Sequence, residues 1–220
     1  MVVEELRPRL WWWTAPHPDW TEQDAGPDGW EEEVSCYALV EEDELVLIDP
    51  LVPTDDDEER FWRALDADVE QHGPPRILLT VSWHARSAQA IRDRYTGSRV
   101  WAPAEGEKEA RESVELDGVL TAGDVLPGGV EVTGAAAGSE EELLWIPSQG
   151  ALAAGDLLIG TPGGGVRVCP DSWLDGRMTA AQLREGLRSL LDLPVELLLL
   201  THGEPVRERG REALERALAS

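Results

Sequence analysis

Residues 77–87 of the chain read Ile-Leu-Leu-Thr-Val-Ser-Trp-His-Ala-Arg-Ser, and this stretch carries most of the information about the fold. It begins with a short apolar run ending in Leu-Thr, which is typical of a buried strand. Its last residue, Ser87, is of the type that begins helices, because a serine hydroxyl can accept a hydrogen bond from the first turn. The stretch therefore predicts a buried strand, a short turn and a helix, in that order.

Similar patterns extend along the rest of the chain. Strands are predicted at 7–15, 34–40, 45–48, 76–81, 99–102, 116–120, 129–133, 142–146, 151–159 and 196–201, and helices at 54–71, 87–95, 179–191 and 207–219. The strand–helix–strand order from 76 to 102 indicates parallel strands joined by a right-handed crossover. Two β-rich halves, each with helices, favour an α/β fold of two packed sheets flanked by helices over one doubly wound sheet.

The composition limits the possible partners. The chain of 220 residues has 44 Asp and Glu against 19 Lys and Arg, a formal net charge of −25. So acidic a surface repels nucleic acid and anionic membranes, and we exclude both as general partners. No apolar stretch approaches the roughly 18 to 20 residues that a membrane helix needs, and nothing resembles a linker or a signal peptide. We therefore expect a single cytoplasmic domain spanning residues 1–220 that takes a small molecule as its partner.

Several motifs, in chain order, resemble those of the metallo-β-lactamase superfamily. In that family a buried strand is followed by a His-x-His-x-Asp-His signature. Residues 81–86, which follow the predicted strand here, occupy the equivalent position. Leu47-Ile48-Asp49 is similar to the strand whose terminal Asp supports the metal site. Gly155-Asp156 is similar to the element whose Asp bridges two metals, and Thr201-His202-Gly203 to the loop that supplies the last His. The resemblance spans about 34–203 and implies the αββα sandwich, two packed mixed β-sheets flanked by helices.

The side chains that bind metal in this family are largely missing. The signature positions hold Val81, Trp83, Ala85 and Arg86, and Ala135 replaces the His of the loop that usually reads Gly-His-Thr-Pro-Gly-Ser. Of the ligands that the resemblance implies, only Asp156 and His202 remain, whereas a catalytic zinc needs about three protein ligands. We therefore predict no bound metal and no other cofactor.

Arg86 stands where the resemblance places a metal-binding His that faces the bridging Asp. A guanidinium there could replace the charge of the missing cation by pairing with Asp156, and with Asp49 as well. Without such a partner, a buried Asp156 would be an uncompensated charge, which is costly. The sequence thus predicts an Arg86–Asp156 ion pair, the alternative for Asp156 being a turn-forming Asp after Gly155.

Three histidines are further candidates, each with a plainer alternative. His202 is either a retained general base or a relic that hydrogen-bonds its loop. His84 lies between two signature positions, so its side chain is predicted to point away from the metal cavity unless the segment rearranges. His17, between Pro16 and Pro18, is either part of a pocket wall or a structural corner.

Three functions follow from these residues. The first is a pseudoenzyme or binding protein for a small anionic ligand, whose ligand-binding residues would be Arg86, His84, Asp49, Asp156, His202 and His17. The second is a hydrolase of ester, thioester or lactam type with His202, Asp156 and His84 as candidate catalytic residues. It would use either one zinc ion, held by some of His84, Asp156, His202 and His17, or His202 as a base without metal. The third is an interaction module whose exposed surface matters more than its pocket.

Overall fold

The computed structural model describes residues 1–134 and 139–219. The larger of its sheets has seven strands whose spatial order follows the chain. These strands are β1 (Val3–Arg7), β2 (Leu10–Pro16), β3 (Glu33–Glu41), β4 (Glu44–Ile48), β5 (Arg76–Leu78), β6 (Arg99–Pro103) and β7 (Gly118–Leu120). The first four pair antiparallel, and β4 to β7 pair parallel through three helical crossovers. The crossover helices are α1 (Glu58–His72), α2 (Ala88–Arg94) and α3 (Glu107–Ser113).

A second sheet of five strands packs against the first. In chain order its strands are β8 (Val125–Leu126), β9 (Val130–Val132), β10 (Leu144–Ile146), β11 (Ala151–Ala153) and β14 (Leu197–Leu199). The strands β11 and β14 are parallel, and the other pairs are antiparallel. A separate hairpin, β12 (Leu158–Thr161) and β13 (Gly165–Val168), and the helices α4 (Ala180–Gly186) and α5 (Gly210–Ala219) complete this half.

Alternating side chains divide the core into three apolar layers. On β2 and β4, Trp12 and Ile48 lie in the layer between the sheets, whereas Trp13 and Leu47 face the layer under α1 to α3. Because successive strand residues point to opposite faces, an apolar residue at every position requires both faces of the sheet to be covered. Leucines of α4 and α5 build the third layer on the outer face of the second sheet. The predicted αββα architecture is thus confirmed.

Several element boundaries differ from those predicted. The strand predicted at 7–15 is the end of β1 and all of β2, separated by a turn at Arg9 with φ 68°. The strand predicted at 151–159 is broken at Gly155, whose φ is 44°. The helix predicted at 179–191 ends at Gly186 and continues as a 3₁₀ turn. Ser87 does precede α2, but its hydroxyl accepts a hydrogen bond from the Val52 N–H (2.9 Å) instead of capping the helix.

The carboxyl ends of four strands meet at one edge of the sandwich. Asp49 directly follows β4, and the 3₁₀ turn Ser82–Ala85 follows β5. In the second sheet, Asp156 and His202 each follow the end of their strand, β11 and β14, by three residues. This edge therefore gathers the polar residues that the sequence predicts. Among the described helices, none is long and apolar enough to cross a membrane.

Candidate functional site

A cavity of about 330 Å³ opens at this edge. Its lining combines imidazole, guanidinium and carboxyl groups with large aromatic side chains: His17, Trp30, Trp83, His84, Arg86, Glu141, Asp156, Cys169, Trp173, Leu174 and His202. Of the predicted site residues, all but Asp49 belong to this lining. The fold therefore brings these residues together from distant parts of the chain.

His84 points into the site, which is the alternative that the sequence left open and not the outward orientation that the family geometry predicts. Its ring is buried, with Nδ1 3.1 Å from Asp49 Oδ2 and Nε2 3.2 Å from Asp156 Oδ1. The cause is the 3₁₀ turn at Ser82–Ala85, which places His84 inward and leaves the neighbouring Trp83 46% exposed. His84 thus bridges two buried carboxylates.

Asp49 fixes this bridge from behind the cavity. Its Oδ1 accepts the Thr80 N–H (2.8 Å) and its Oδ2 accepts the Thr80 hydroxyl (2.5 Å), in addition to facing His84. The Asp49 backbone has a φ of 47°, a left-handed conformation that turns the chain sharply at the end of β4. Asp49 therefore ties the ends of β4 and β5 together and orients the His84 ring.

Asp156 is the centre of the site. Its Oδ2 accepts a hydrogen bond from the Trp83 indole N–H (2.9 Å), and its Oδ1 lies 3.2 Å from Nε2 of both His84 and His202. Neither His84 Nε2 nor Asp156 Oδ1 forms a well-aligned hydrogen bond within the described residues, so their contact is chiefly one of charge.

The pKa values of Asp156 and His84 move apart, as expected for an ion pair. Burial raises the pKa of Asp156, but the nearby His84 and His202 rings outweigh it and hold that pKa well below the ordinary 3.8. Burial and the Arg86 guanidinium lower the pKa of His84, yet Asp156 and Asp49 outweigh them and raise it above 6.5. The arrangement favours an imidazolium between two carboxylates.

Glu141 is a further buried carboxyl group, and it lines the cavity together with Asp156. Its Oε2 accepts hydrogen bonds from the Asp156 N–H (2.9 Å) and the Leu157 N–H (3.3 Å). Burial, followed by repulsion from the Asp156 carboxylate, raises the pKa of Glu141 well above 4.5, which favours its uncharged form. The turn needs glycine at Gly155, because a Cβ there would lie 2.5 Å from Glu141 Oε2.

Arg86 does not pair with Asp156, and the predicted ion pair is wrong. The ionisable partners within 4 Å of the Asp156 carboxylate are the imidazoles of His84 and His202, and His84 takes the place between Asp156 and Asp49 that was assigned to the guanidinium. Arg86 Nε and Nη1 are shielded from solvent and have no acceptor within residues 1–134 and 139–219. The Arg86 backbone is also strained, with φ 24°. Arg86 is therefore a cation in the cavity wall without a matching anion among the described residues.

A series of aromatic rings forms another wall of the cavity. His17 packs edge-on against Trp30 (centroids 5.0 Å apart), Trp30 against His202 (5.0 Å), and His202 against Trp173 (5.3 Å). The Trp173 indole N–H donates to the Asp28 carbonyl (2.8 Å), which holds the ring in place. His17 is thus part of a pocket wall, one of its two predicted roles. Its pKa is lowered, by burial first and then by the Arg86 charge.

The comparison with known families agrees with this geometry. A sequence model described as metallo-beta-lactamase superfamily matches residues 27–220. The chain belongs to the metallo-β-lactamase superfamily. The family resemblance seen in the motifs is thereby confirmed. A search of curated proteins gave no match.

Solved structures share the metallo-β-lactamase fold with this chain. A metallo-β-lactamase family protein from Thermus thermophilus is 18% identical, with a TM-score of 0.64 over 98% of this chain and 80% of that chain. The metallo-β-lactamase from Hirschia baltica is 14% identical, with a TM-score of 0.65 over 99% and 96% of the two chains. The metallo-β-lactamase from Pontibacter korlensis is 15% identical, with a TM-score of 0.67 over 99% and 97%. Identities this low show a common fold and not a common activity.

The residues present do not fit the zinc site that the superfamily implies. Zinc needs several imidazole, thiolate or carboxylate ligands converging on one point. In the part of the chain that the structure describes, no group of three or more His, Cys, Asp or Glu is arranged to hold a metal ion. His84 and His202 both approach Asp156, but His84 already faces a carboxylate with each ring nitrogen. Ala135, at the position of a family His, lies outside the described residues.

Six of the eleven described lining residues were not among the predicted site residues: Trp30, Trp83, Glu141, Cys169, Trp173 and Leu174. Glu141 lies within the run Glu140-Glu141-Glu142, which looks like an ordinary solvated charge cluster. Trp30 and Trp173 belong to loops that are far apart in the chain and have no motif. A weak signal for Glu141 was available, since it follows the loop at 134–139 that corresponds to a site loop of the family.

Proposed function

We propose that this chain is a metal-independent member of the metallo-β-lactamase superfamily that binds a small anionic molecule beside Arg86. The observation that carries the proposal is the guanidinium itself. It lies in the wall of the cavity, and two of its nitrogens are buried without an acceptor in the described part of the chain. The residue as a whole is half-buried, but donors shielded from solvent without an acceptor are costly, so a ligand that supplies the missing acceptors gains the corresponding energy on binding.

The other charged groups of the site support the proposal, because each carboxylate already lies against an imidazole and a hydrogen-bond donor. Asp49 accepts hydrogen bonds from Thr80, and Asp156 has Trp83 and two imidazoles as partners. The raised pKa of Glu141, caused by burial and by Asp156, favours a carboxyl group without charge. Among the described lining residues, an incoming anion therefore meets a guanidinium without an acceptor, beside carboxyl groups that are uncharged or paired.

The test is a calorimetric titration of the purified protein with acetate and with inorganic phosphate. We expect at least one of them to bind the wild type, and Arg86→Gln to weaken that binding about tenfold or more, as for loss of a charge-assisted hydrogen bond. The matched control is Arg63→Gln, since Arg63 is exposed on α1 and pairs with Glu59 (2.6 Å) far from the cavity. Equal affinities of the wild type and Arg86→Gln, or no binding of either anion, would overturn the proposal.

A second candidate function is metal-free hydrolysis with His202 as the base. It is favoured by the contact between His202 Nε2 and Asp156 Oδ1 in the cavity wall, since a carboxylate that orients an imidazole is the usual support of a general base. Burial, chiefly, and Glu141 raise the pKa of Cys169 to about 12, so this thiol is not the nucleophile. Hydrolysis of p-nitrophenyl acetate that is lost in His202→Asn, and unchanged by chelator, would support this candidate. An equal rate in the variant would reject it.

A further inference from the structure

We infer that the ligand of this cavity is a flat aromatic molecule carrying a single carboxylate. The inference rests on the proposed function, because it takes Arg86 as the site of the anionic group. It adds the shape of the ligand body and the number of its charges. Both are argued from the residues that line the cavity together with Arg86.

The ligand body is specified by the aromatic wall. The rings of His17, Trp30, His202 and Trp173 are in continuous edge-to-face or tilted contact over centroid distances of 5.0 to 5.3 Å. Such a wall presents flat ring faces and edges, against which another ring packs better than a puckered aliphatic body. The wall is also held rigid: the Trp173 indole donates to Asp28, and the Trp20 indole donates to the Trp30 carbonyl (3.1 Å).

Few polar groups of the cavity remain for a ligand besides Arg86: among the described lining residues, the buried side-chain atoms without a hydrogen-bond partner are His84 Nε2, Asp156 Oδ1 and His202 Nδ1. The indole N–H of Trp83 is occupied by Asp156, and that of Trp173 by Asp28. Glu141 Oε2 accepts two backbone N–H groups. A ligand with many hydroxyl or amide groups would bury them without partners, which is unfavourable. The volume of about 330 Å³ is at the lower end for small-molecule pockets, and it suits one or two fused rings.

The number of charges follows from the acidic residues. One guanidinium balances one carboxylate, whereas a second negative charge would lie in the same cavity as the Asp156 carboxylate and would have no cation of its own among the described lining residues. The repulsion acts at short range in a partly dry site, where screening by salt is weak. The net charge of −25 adds a further penalty for multiply charged anions approaching the protein.

The experiment compares four probes by calorimetry: benzoate, cyclohexanecarboxylate, benzamide and phthalate. Benzoate should bind roughly three- to tenfold tighter than cyclohexanecarboxylate because of ring packing. It should bind about tenfold tighter than benzamide, which lacks the charge, and about tenfold tighter than phthalate, which has one charge too many. Trp173→Leu should abolish the preference for benzoate over cyclohexanecarboxylate, and Trp173→Phe should keep it. The matched control is Trp62→Leu, because Trp62 lies on α1 outside this cavity.

The outcomes separate this inference from the proposed function. Equal, Arg86-dependent binding of benzoate and cyclohexanecarboxylate would overturn the aromatic ligand class and leave anion binding intact. Phthalate binding as tightly as benzoate would overturn the single charge. Benzoate binding that is unchanged in Arg86→Gln would overturn the proposed function and this inference together, as would no binding of benzoate, acetate or phosphate.

Discussion

The two kinds of charged group in the cavity wall differ in how their charges are matched. In the His84 cluster, which comprises His84, Asp49 and Asp156, the imidazole lies within 3.2 Å of both carboxylates, and each carboxylate has a further donor in Thr80 or Trp83. Arg86, in contrast, has two buried nitrogens with no acceptor among the described residues. Opposite charges held this close stabilise the fold, whereas a guanidinium without an acceptor costs stability unless a ligand supplies one. We therefore assign the His84 cluster to structure and Arg86 to binding.

The largest effect should come from removing the bridging imidazole. In His84→Leu, Asp49 and Asp156 would be buried without their shared cation, and we expect a loss of about 3 to 5 kcal/mol in the free energy of unfolding. Urea denaturation measures it, and His72→Leu, at the end of α1, is the control for losing an imidazole elsewhere. If His84→Leu lost no more unfolding free energy than the control, the His84 cluster would not have a structural role.

The next largest effect should come from the turn that delivers Asp156. In Gly155→Ala, the new Cβ would lie 2.5 Å from Glu141 Oε2 and 2.7 Å from Thr80 Oγ1, at a residue with φ 44°. We expect a loss of about 2 to 3 kcal/mol from the clash and the strain together. Gly163→Ala is the matched control, because Gly163 has φ 84° but nothing within 4 Å of its added Cβ. Equal losses in the two variants, measured by urea denaturation, would show that the contacts around Gly155 are loose.

The pH dependence of stability sharpens the assignment of charge to His84. Burial and Arg86 lower the pKa of His84, but Asp156 and Asp49 raise it above 6.5 overall. A raised pKa means that the folded state binds the proton more tightly, so this stabilisation is complete below about pH 6.5 and is lost as the pH rises through the raised pKa. The stability difference between the wild type and His84→Leu should accordingly shrink from acid to alkaline pH. A difference that grows with pH would show that His84 is neutral in the folded state.

Removal of the Arg86 guanidinium should have only a small effect on stability. Because Arg86 has no acceptor among the described residues, Arg86→Gln should change the free energy of unfolding by no more than about 1 kcal/mol. Thermal or urea denaturation without added anions is the measurement. A loss of unfolding free energy near that of His84→Leu would reveal a strong partner for the guanidinium. It would also remove the contrast between the His84 cluster and Arg86.

Adding or removing metal ions should not change the thermal stability of the protein. Since the described residues offer no group of three or more ligands, neither zinc nor a chelator should move the melting temperature of the purified protein. Elemental analysis provides the independent measurement. Stoichiometric zinc that raises the melting temperature, and that is lost in Asp156→Ala, would contradict this expectation.

The sequence predicts the positions of Asp156 and His202 well, because each closely follows an apolar run that forms a short buried strand. It fails for His84 and Arg86 for a related reason. Their predicted directions assumed that residues 81–86 keep the geometry of the family signature. The sequence predicts a turn after the strand but not its form, and the 3₁₀ turn Ser82–Ala85 places His84 between the two carboxylates. Arg86 follows that turn with a φ of 24° and does not pair with Asp156.

The sequence alone determined the family and its layered architecture, since apolar periodicity and strand-terminal motifs are local patterns that survive in any single chain. It also predicted that most of the family's metal-binding side chains are replaced. Only the tertiary structure decided which charges meet, because loops as distant as those of Trp30, Glu141 and Trp173 converge on one cavity through packing of the two sheets. The physical reason is that pairing of buried charges depends on distances of a few ångströms, which linear spacing does not fix.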